Sequence, residues 1–422
     1  MGAEQLLLLL EKDPQAPLIL GLQVSALVDH VARVDRSLLD QMPGDRGGSQ
    51  QVAAEDLKHI LSKVNSHILS IPNDSSPMRT MAGGSIANTI RGLAAGFGVS
   101  CGLIVACGDD EHGRLFVSNM SFNGVNLSRL RMKNGPTAQC ACLVDADGNR
   151  TMRPCLLSAV RLQISLMFSS LNMPFLWRVG SREQMLGILT GICNSLYSQA
   201  DELTRDDFKG SRWLALRYGF YHLELIRTAV RIAKEEGLFV SMDLASFEVI
   251  FNNEINYSVD GKHFLLSRID VLELQQATKA ACCWLCFGKH NMGEPNTNPE
   301  AALEFLAKYC RWAVVTLGAN GCIAKHGREE SIPQVVQVPA IGEAQAVDAT
   351  GAGDLFASGF LYGLVNGLPL EDCCKVGSCS GGSVIRFLGG EVRSQDWQWM
   401  YKQMKIKGIP VPDGPDLPTK QW

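Results

Sequence analysis

Short apolar runs alternate with helical patterns along most of this chain, and that rhythm restricts its fold more than any other feature. Strands are expected at 101–108 (CGLIVACG), 213–218, 238–244 and 312–318, with helical spacing between them, as in 222–237. Apolar strands separated by amphipathic helices imply a parallel sheet covered on both faces. Residues 17–30, PLILGLQVSALVDH, run apolar and then break into Asp29 and His30, which suits a buried first strand emptying into a polar site. Leu57, Ile60, Leu61 and Val64 predict a helix over roughly 55–70. Alternating residues about Asp147-Gly148 predict a hairpin over 137–153. Together with strands near 20–35, the hairpin is left over for a small accessory sheet or lid.

A chain of 422 residues, 46% hydrophobic, can bury a large core. Its formal net charge of −4 supplies no basic footprint for nucleic acid. Fourteen cysteines are spread along it, and its opening lacks the basic start and small-residue cleavage site of a signal peptide, so reduced thiols and a cytoplasmic setting are expected. No charge-free apolar stretch reaches the ~18 residues of a membrane span.

Two stretches break the rhythm. Residues 164–199 carry few charges and no clean period, as an atypical insertion or a translated non-coding segment would. Residues 271–293 are a second atypical segment, in which an altered reading frame would account for the composition. There Cys283, Cys286 and His290 are spaced like three zinc ligands, but no fourth is evident, and cysteines commonly serve as small core residues.

The stretch VDATGAGDLF, 347–356, sets a polar glycine turn on an apolar helical pattern. Gly351 and Gly353 leave room for a molecule to approach the backbone, and the exposed amides of a helix start can hold an anion. A carboxylate there, Asp354, could accept a proton from an attacking hydroxyl. A plain helix cap is the commoner use of such residues. Neither a Walker motif nor the paired motifs of protein kinases occur, and Phe356 stands where a dinucleotide fingerprint needs its third glycine.

DATGAGDLFASGFLYGL and AGGSIANTIRGLA together resemble the C-terminal and N-terminal signatures of the pfkB carbohydrate kinases, also called ribokinase-like. The resemblance covers roughly 17–406 outside the two odd stretches. It implies an α/β fold, a ribokinase-like three-layer α/β/α sandwich with a mostly parallel central sheet and a small β lid. One domain would span 17–410, followed by a C-terminal tail at 411–422. It further implies an ATP-dependent phosphotransferase acting on a primary hydroxyl of a sugar or nucleoside. Asp354 would be the base, and Gly351, Ala352 and Gly353 the anion hole.

Asp29, Gly83, Gly84 and Asn88 match the substrate side, and Thr316, Gly318, Gly321 and Thr350 the nucleotide side. Gly381, Gly382 and Ser383 would border the adenine. Asp109 and Asp110 fall at a position that is usually structural. Mg²⁺ would accompany ATP, and Asp348 marks where a monovalent cation such as K⁺ would sit. The family's N-x-x-E motif is matched in spacing by Asn291 and Glu294, but Pro295 follows at once and would cut the helix short. Ser85, where ribokinases tend to carry lysine, leans toward the adenosine-kinase-like branch. Expected partners are a small-molecule sugar or nucleoside and a second copy in a homodimer, with no nucleic acid and no membrane. The competing expectation is a catalytically impaired, kinase-derived binding or regulatory protein, or a non-productive splice isoform.

Overall fold

A computed structural model of the chain describes residues 16–44, 46–64, 66–69, 78–156, 199–217, 223–244, 268–274, 299–327, 335–342 and 346–412. Its strands are β1 (Ile19–Ser25), β2 (Leu27–Arg33), β3 (Met78–Gly83), β4 (Cys101–Gly108), β5 (Val125–Asn126), β6 (Leu130–Lys133), β7 (Ala138–Val144), β8 (Arg150–Cys155), β9 (Trp213–Arg217), β10 (Phe239–Asp243), β11 (Val271–Leu274), β12 (Trp312–Thr316), β13 (Cys322–His326) and β14 (Val336–Val338). The helices are α1 (Arg36–Asp40), α2 (Ala54–Val64), α3 (Ser85–Phe97), α4 (Glu111–Phe122), α5 (Leu223–Glu235), α6 (Pro299–Ala307), α7 (Ala352–Val365), α8 (Leu370–Val384) and α9 (Ser394–Ile406).

The main sheet runs β14-β13-β12-β11-β10-β9-β1-β4-β5, with β6 also on β4. It is parallel from β12 to β5 and antiparallel only at the β12-β13-β14 edge. Successive strand residues feed opposite layers, because side chains alternate across a sheet. Ile19, Leu103, Val105, Ala215 and Val314 face a core shared with α3, α7, α8 and α9. Leu20, Ile104, Leu214, Val315 and Ile323 face another, shared with α5 and α6. Apolar residues on both faces of each strand thus give an α/β/α sandwich.

The apolar run at 17–30 does not make one strand. A bulge between Gln23 and Ser25 ends β1, and β2 leaves the main sheet for a second one ordered β3-β2-β7-β8. Periodicity reports burial and cannot say in which sheet a residue is buried. The helix expected over 55–70 ends at Val64. Residues 271–274, read as part of an atypical segment, form a central strand between β10 and β12; four residues are too few to show a period. Residues 164–198 and 275–293 lie outside the described residues, as do Asn291, Glu294 and the Cys283, Cys286, His290 group.

Each face of the second sheet is covered. One side packs Ala32, Val34, Ala141 and Leu143 against Leu38 and Leu39 of α1 and Leu57, Ile60 and Val64 of α2. Burial of such side chains contributes about 1.5–3 kcal/mol each. The other side places Val31, Met81, Cys140, Cys142 and Val144 against Leu388 of the main body.

Candidate active site

The turn at 347–351 is built around a fully buried carboxylate. Asp348 Oδ1 accepts the Thr350 amide and Oδ2 the Gly389 amide, both at 2.8 Å. Burial raises the Asp348 carboxyl above its ordinary range, and the bonds from Thr350 and Gly389 offset part of that rise. The turn ends at Gly351, the N-cap of α7, with φ +78°. A side chain there would be strained, and its Cβ would stand 3.1 Å from Gly390 Cα. Ala352 and Gly353 then open the first helical turn, whose amides have no intrahelical acceptor, although the Ala352 amide also reaches back to the Ala349 carbonyl at 3.3 Å.

Asp354 follows in that first turn, 8% exposed, and Asn88 of α3 donates to its Oδ2 at 2.9 Å. Helices α3 and α7 approach closely because Gly92 carries no side chain: a Cβ would meet Leu355 and Ser358 at 2.6 Å. Thr89 Oγ1 donates to the Asp354 carbonyl at 3.1 Å, and Ser358 Oγ to the Thr89 carbonyl at 2.9 Å. Residues from the two ends of the sequence therefore share one small polar cluster.

Arg91 anchors it and was not singled out from the sequence. It is 4% exposed, and its Nη2 donates to Asn88 Oδ1 at 2.8 Å and to the Gly390 carbonyl at 3.0 Å. Its Nη1 reaches the Ala82 carbonyl, Asn119 and Glu391. With its oxygen held by Arg91, the Asn88 amide must turn its nitrogen toward Asp354.

In the second sheet, Asp29 on β2 is 3% exposed. Gly83 lies beside it with no room for a side chain, since a Cβ would fall 2.1 Å from Asp29 Oδ2. Burial pushes the Asp29 carboxyl up to about 7, against the opposing pull of the Cys142 thiol and Arg91. Its Oδ1 is buried with no hydrogen-bond partner, as is Thr350 Oγ1 in the turn. The electrostatic influence of Asp354 and Asp348 reaches Asp29, so the three carboxylates lie near one another. Gly84 is the N-cap of α3, and the Gln23 side chain completes that end by accepting the Ala87 amide at 2.9 Å.

The lid also touches the turn. The Ala349 amide donates to the Gly148 carbonyl at 3.2 Å, and Arg150 Nη1 to the Ala349 carbonyl at 3.0 Å. At the mouth, Arg217 donates to the Ser85 hydroxyl and lies 3.6 Å from Asp243. Both charges sit at carboxyl ends of parallel strands, the ligand side of such sheets. Arg91 lies within the AGGSIANTIRGLA signature, but nothing local marks its role; Gln23, Arg150 and Arg217 belong to no motif.

The other expected residues lie on β12, on the turn after it and on α8. Thr316 ends β12, and Gly318 and Gly321 flank the turn into β13. Gly381, Gly382 and Ser383 lie within α8; Ser383 is fully buried and bonds the Ser380 carbonyl, and a Cβ on Gly382 would strike the Ile341 carbonyl at 1.8 Å. A Cβ on Gly381 would stand 3.0 Å from the carbonyl of Ala352 in the first turn of α7. Asp110 caps α4 through the Gly113 amide and accepts the Thr137 hydroxyl, a structural duty.

The family model for the pfkB family carbohydrate kinases matches residues 62–167 and 285–393, half of the chain. The chain belongs to the pfkB carbohydrate kinase family. Within it, the chain is 36% identical to mouse ribokinase over 88 residues, 20% of this chain and 26% of that protein's length. It is 22% identical to a 5-dehydro-2-deoxygluconokinase of Clostridium perfringens over 324 residues, 74% of this chain and 80% of that protein. The adenosine kinase of Sinorhizobium meliloti shares the fold with a TM-score of 0.66 and 24% identity, covering 90% of this chain and 98% of the other. This pfkB chain is thus an α/β kinase of the sugar and nucleoside class, a class that uses ATP and usually Mg²⁺. Among the described residues no helix is long and apolar enough to cross a membrane.

Proposed function

We propose that this chain transfers the γ-phosphoryl group of MgATP to a primary hydroxyl of a sugar or nucleoside. The observation that carries this reading is the 2.9 Å bond between Asn88 and Asp354, which joins the two motifs at one point. Asp354 takes the proton of the hydroxyl, whose oxygen bonds to the γ-phosphorus while the bond to the β-phosphate oxygen breaks and ADP leaves. Amides of Gly351, Ala352 and Gly353 face the charge that develops on the transferred group. The spare buried oxygen of Asp29 can gain a partner from a ligand. Asp29 clamps the acceptor through its other hydroxyls, as an ionised carboxylate can accept two bonds in fixed geometry.

Ser85, standing where ribokinases tend to carry a lysine, favours a nucleoside over a free sugar. The alternative of a fold without turnover requires a broken cluster. Instead Asp354, Asn88 and Arg91 form a connected set. ADP release measured over a panel of nucleosides and sugars tests the proposal. An acceptor-dependent rate that vanishes in Asp354→Asn is expected; no acceptor dependence, or wild-type turnover in that variant, would refute it.

A further inference from the structure

The lid's inner face carries two thiols that phosphoryl transfer does not use. Parallel pairing of β2 and β7 sets Asp29 opposite Cys140, and the two-residue period of a strand brings Cys142 to the same face. The carboxylate oxygen and the two sulfurs all lie within 4.8 Å of one another, and the sulfurs are 3.6 Å apart. A tetrahedral zinc ion with bonds of about 2.3 Å to two thiolates needs them about 3.8 Å apart. All three side chains are buried, and Asp29 retains an oxygen without a partner.

We propose that Asp29, Cys140 and Cys142 bind one thiophilic divalent cation, with Zn²⁺ as the type, and that the bound ion excludes the acceptor alcohol. Its second half rests on the reading of Asp29 as the acceptor clamp. Two thiolates and a carboxylate select a soft ion over Mg²⁺, which prefers oxygen ligands and gives up its water reluctantly. Val31, Met81, Val144 and Leu388 form a dry surround. Binding displaces the two thiol protons, and the carboxyl proton wherever Asp29 carries it, to solvent, leaving a complex of net charge −1. Three protein ligands leave one tetrahedral position for water, as in open rather than closed zinc sites. An ion held there withdraws the carboxylate oxygens from any substrate hydroxyl.

The test uses the reduced, metal-free full chain titrated with Cd²⁺, following thiolate-to-metal charge-transfer absorption. Cys140→Ala/Cys142→Ala should take up one equivalent fewer than wild type, and Asp29→Asn should bind that equivalent at least about tenfold more weakly. Equal stoichiometry and affinity in wild type and the double variant would overturn the site. If the double variant does not fold by circular dichroism, Cys140→Ser and Cys142→Ser singly give the same comparison with little change in volume. In turnover assays at fixed MgATP, added Zn²⁺ should raise the acceptor KM of wild type but not of the double variant. Binding without that inhibition would overturn the exclusion of acceptor. The clamp reading fails separately, if metal-free Asp29→Asn keeps the wild-type KM for acceptor, and the Cd²⁺ result stands regardless.

Discussion

The turn and the lid each bury a carboxylate, and the two are treated in opposite ways. Asp348 has both oxygens satisfied by backbone amides at 2.8 Å, whereas Asp29 keeps one buried oxygen with no partner. A satisfied buried carboxylate fixes a backbone; an unsatisfied one is kept at a cost that only a ligand can offset. The comparison separates the residue that shapes the site from the residue that awaits something in it.

Substitutions can break or sharpen that contrast. The largest effect belongs to Asp354→Asn, which removes the base while leaving an oxygen for Asn88. The acceptor-dependent kcat should fall about 10³-fold, equivalent to about 4 kcal/mol, with little change in melting temperature. Near-normal kcat would end the assignment. Next, Asp348→Asn should destabilise the fold by about 3 kcal/mol in denaturant titration, because its NH₂ group would face an amide donor and leave that donor unpaired.

Asp29→Asn should act with the opposite sign. Burial disfavours the charged form of Asp29, so its cost to stability is absent below the ordinary carboxylate value, grows as pH rises, and is complete above about 7. The variant should therefore gain about 2 kcal/mol over wild type at pH 8 and progressively less toward pH 4. Its kcat/KM for acceptor should drop and lose an acid limb near pH 7. Destabilisation at pH 8 would erase the distinction between the two carboxylates. The smallest effect is that of Gly351→Ala, about 1 kcal/mol of stability from the positive φ, with a reduced phosphoryl-transfer rate if the amides after it are displaced.

Much of this was legible in the sequence because its signals are local. Strands β4, β9, β10 and β12 each announce themselves as apolar runs, and Asp354 follows a glycine pair that only a tight helix start explains. Asp29 was marked by the break in an apolar run. What escaped is set by register and three-dimensional approach. Strands near 20–35 are expected in the lid, and Leu27 to Arg33 lie there, but Ile19 to Ser25 belong to the main sheet; both halves are apolar and only pairing distinguishes their sheets. Arg91 looks like a surface residue of an amphipathic helix, and its burial is visible only once Glu391 and Gly390 are beside it. The thiols of Cys140 and Cys142 read as core filler until β2 places Asp29 across from them. Helices α1 and α2 cover the outward face of the second sheet, a packing that no local pattern in the sequence announces.

The hairpin tip resting on the catalytic turn has a mechanical meaning. Gly148 and Arg150 grip Ala349 from both its amide and its carbonyl, next to the buried Asp348. Raising the lid to admit an alcohol must break those bonds and disturb the backbone that cradles phosphate. Acceptor entry and nucleotide grip then share a fulcrum, so that each substrate registers the presence of the other before any chemistry begins.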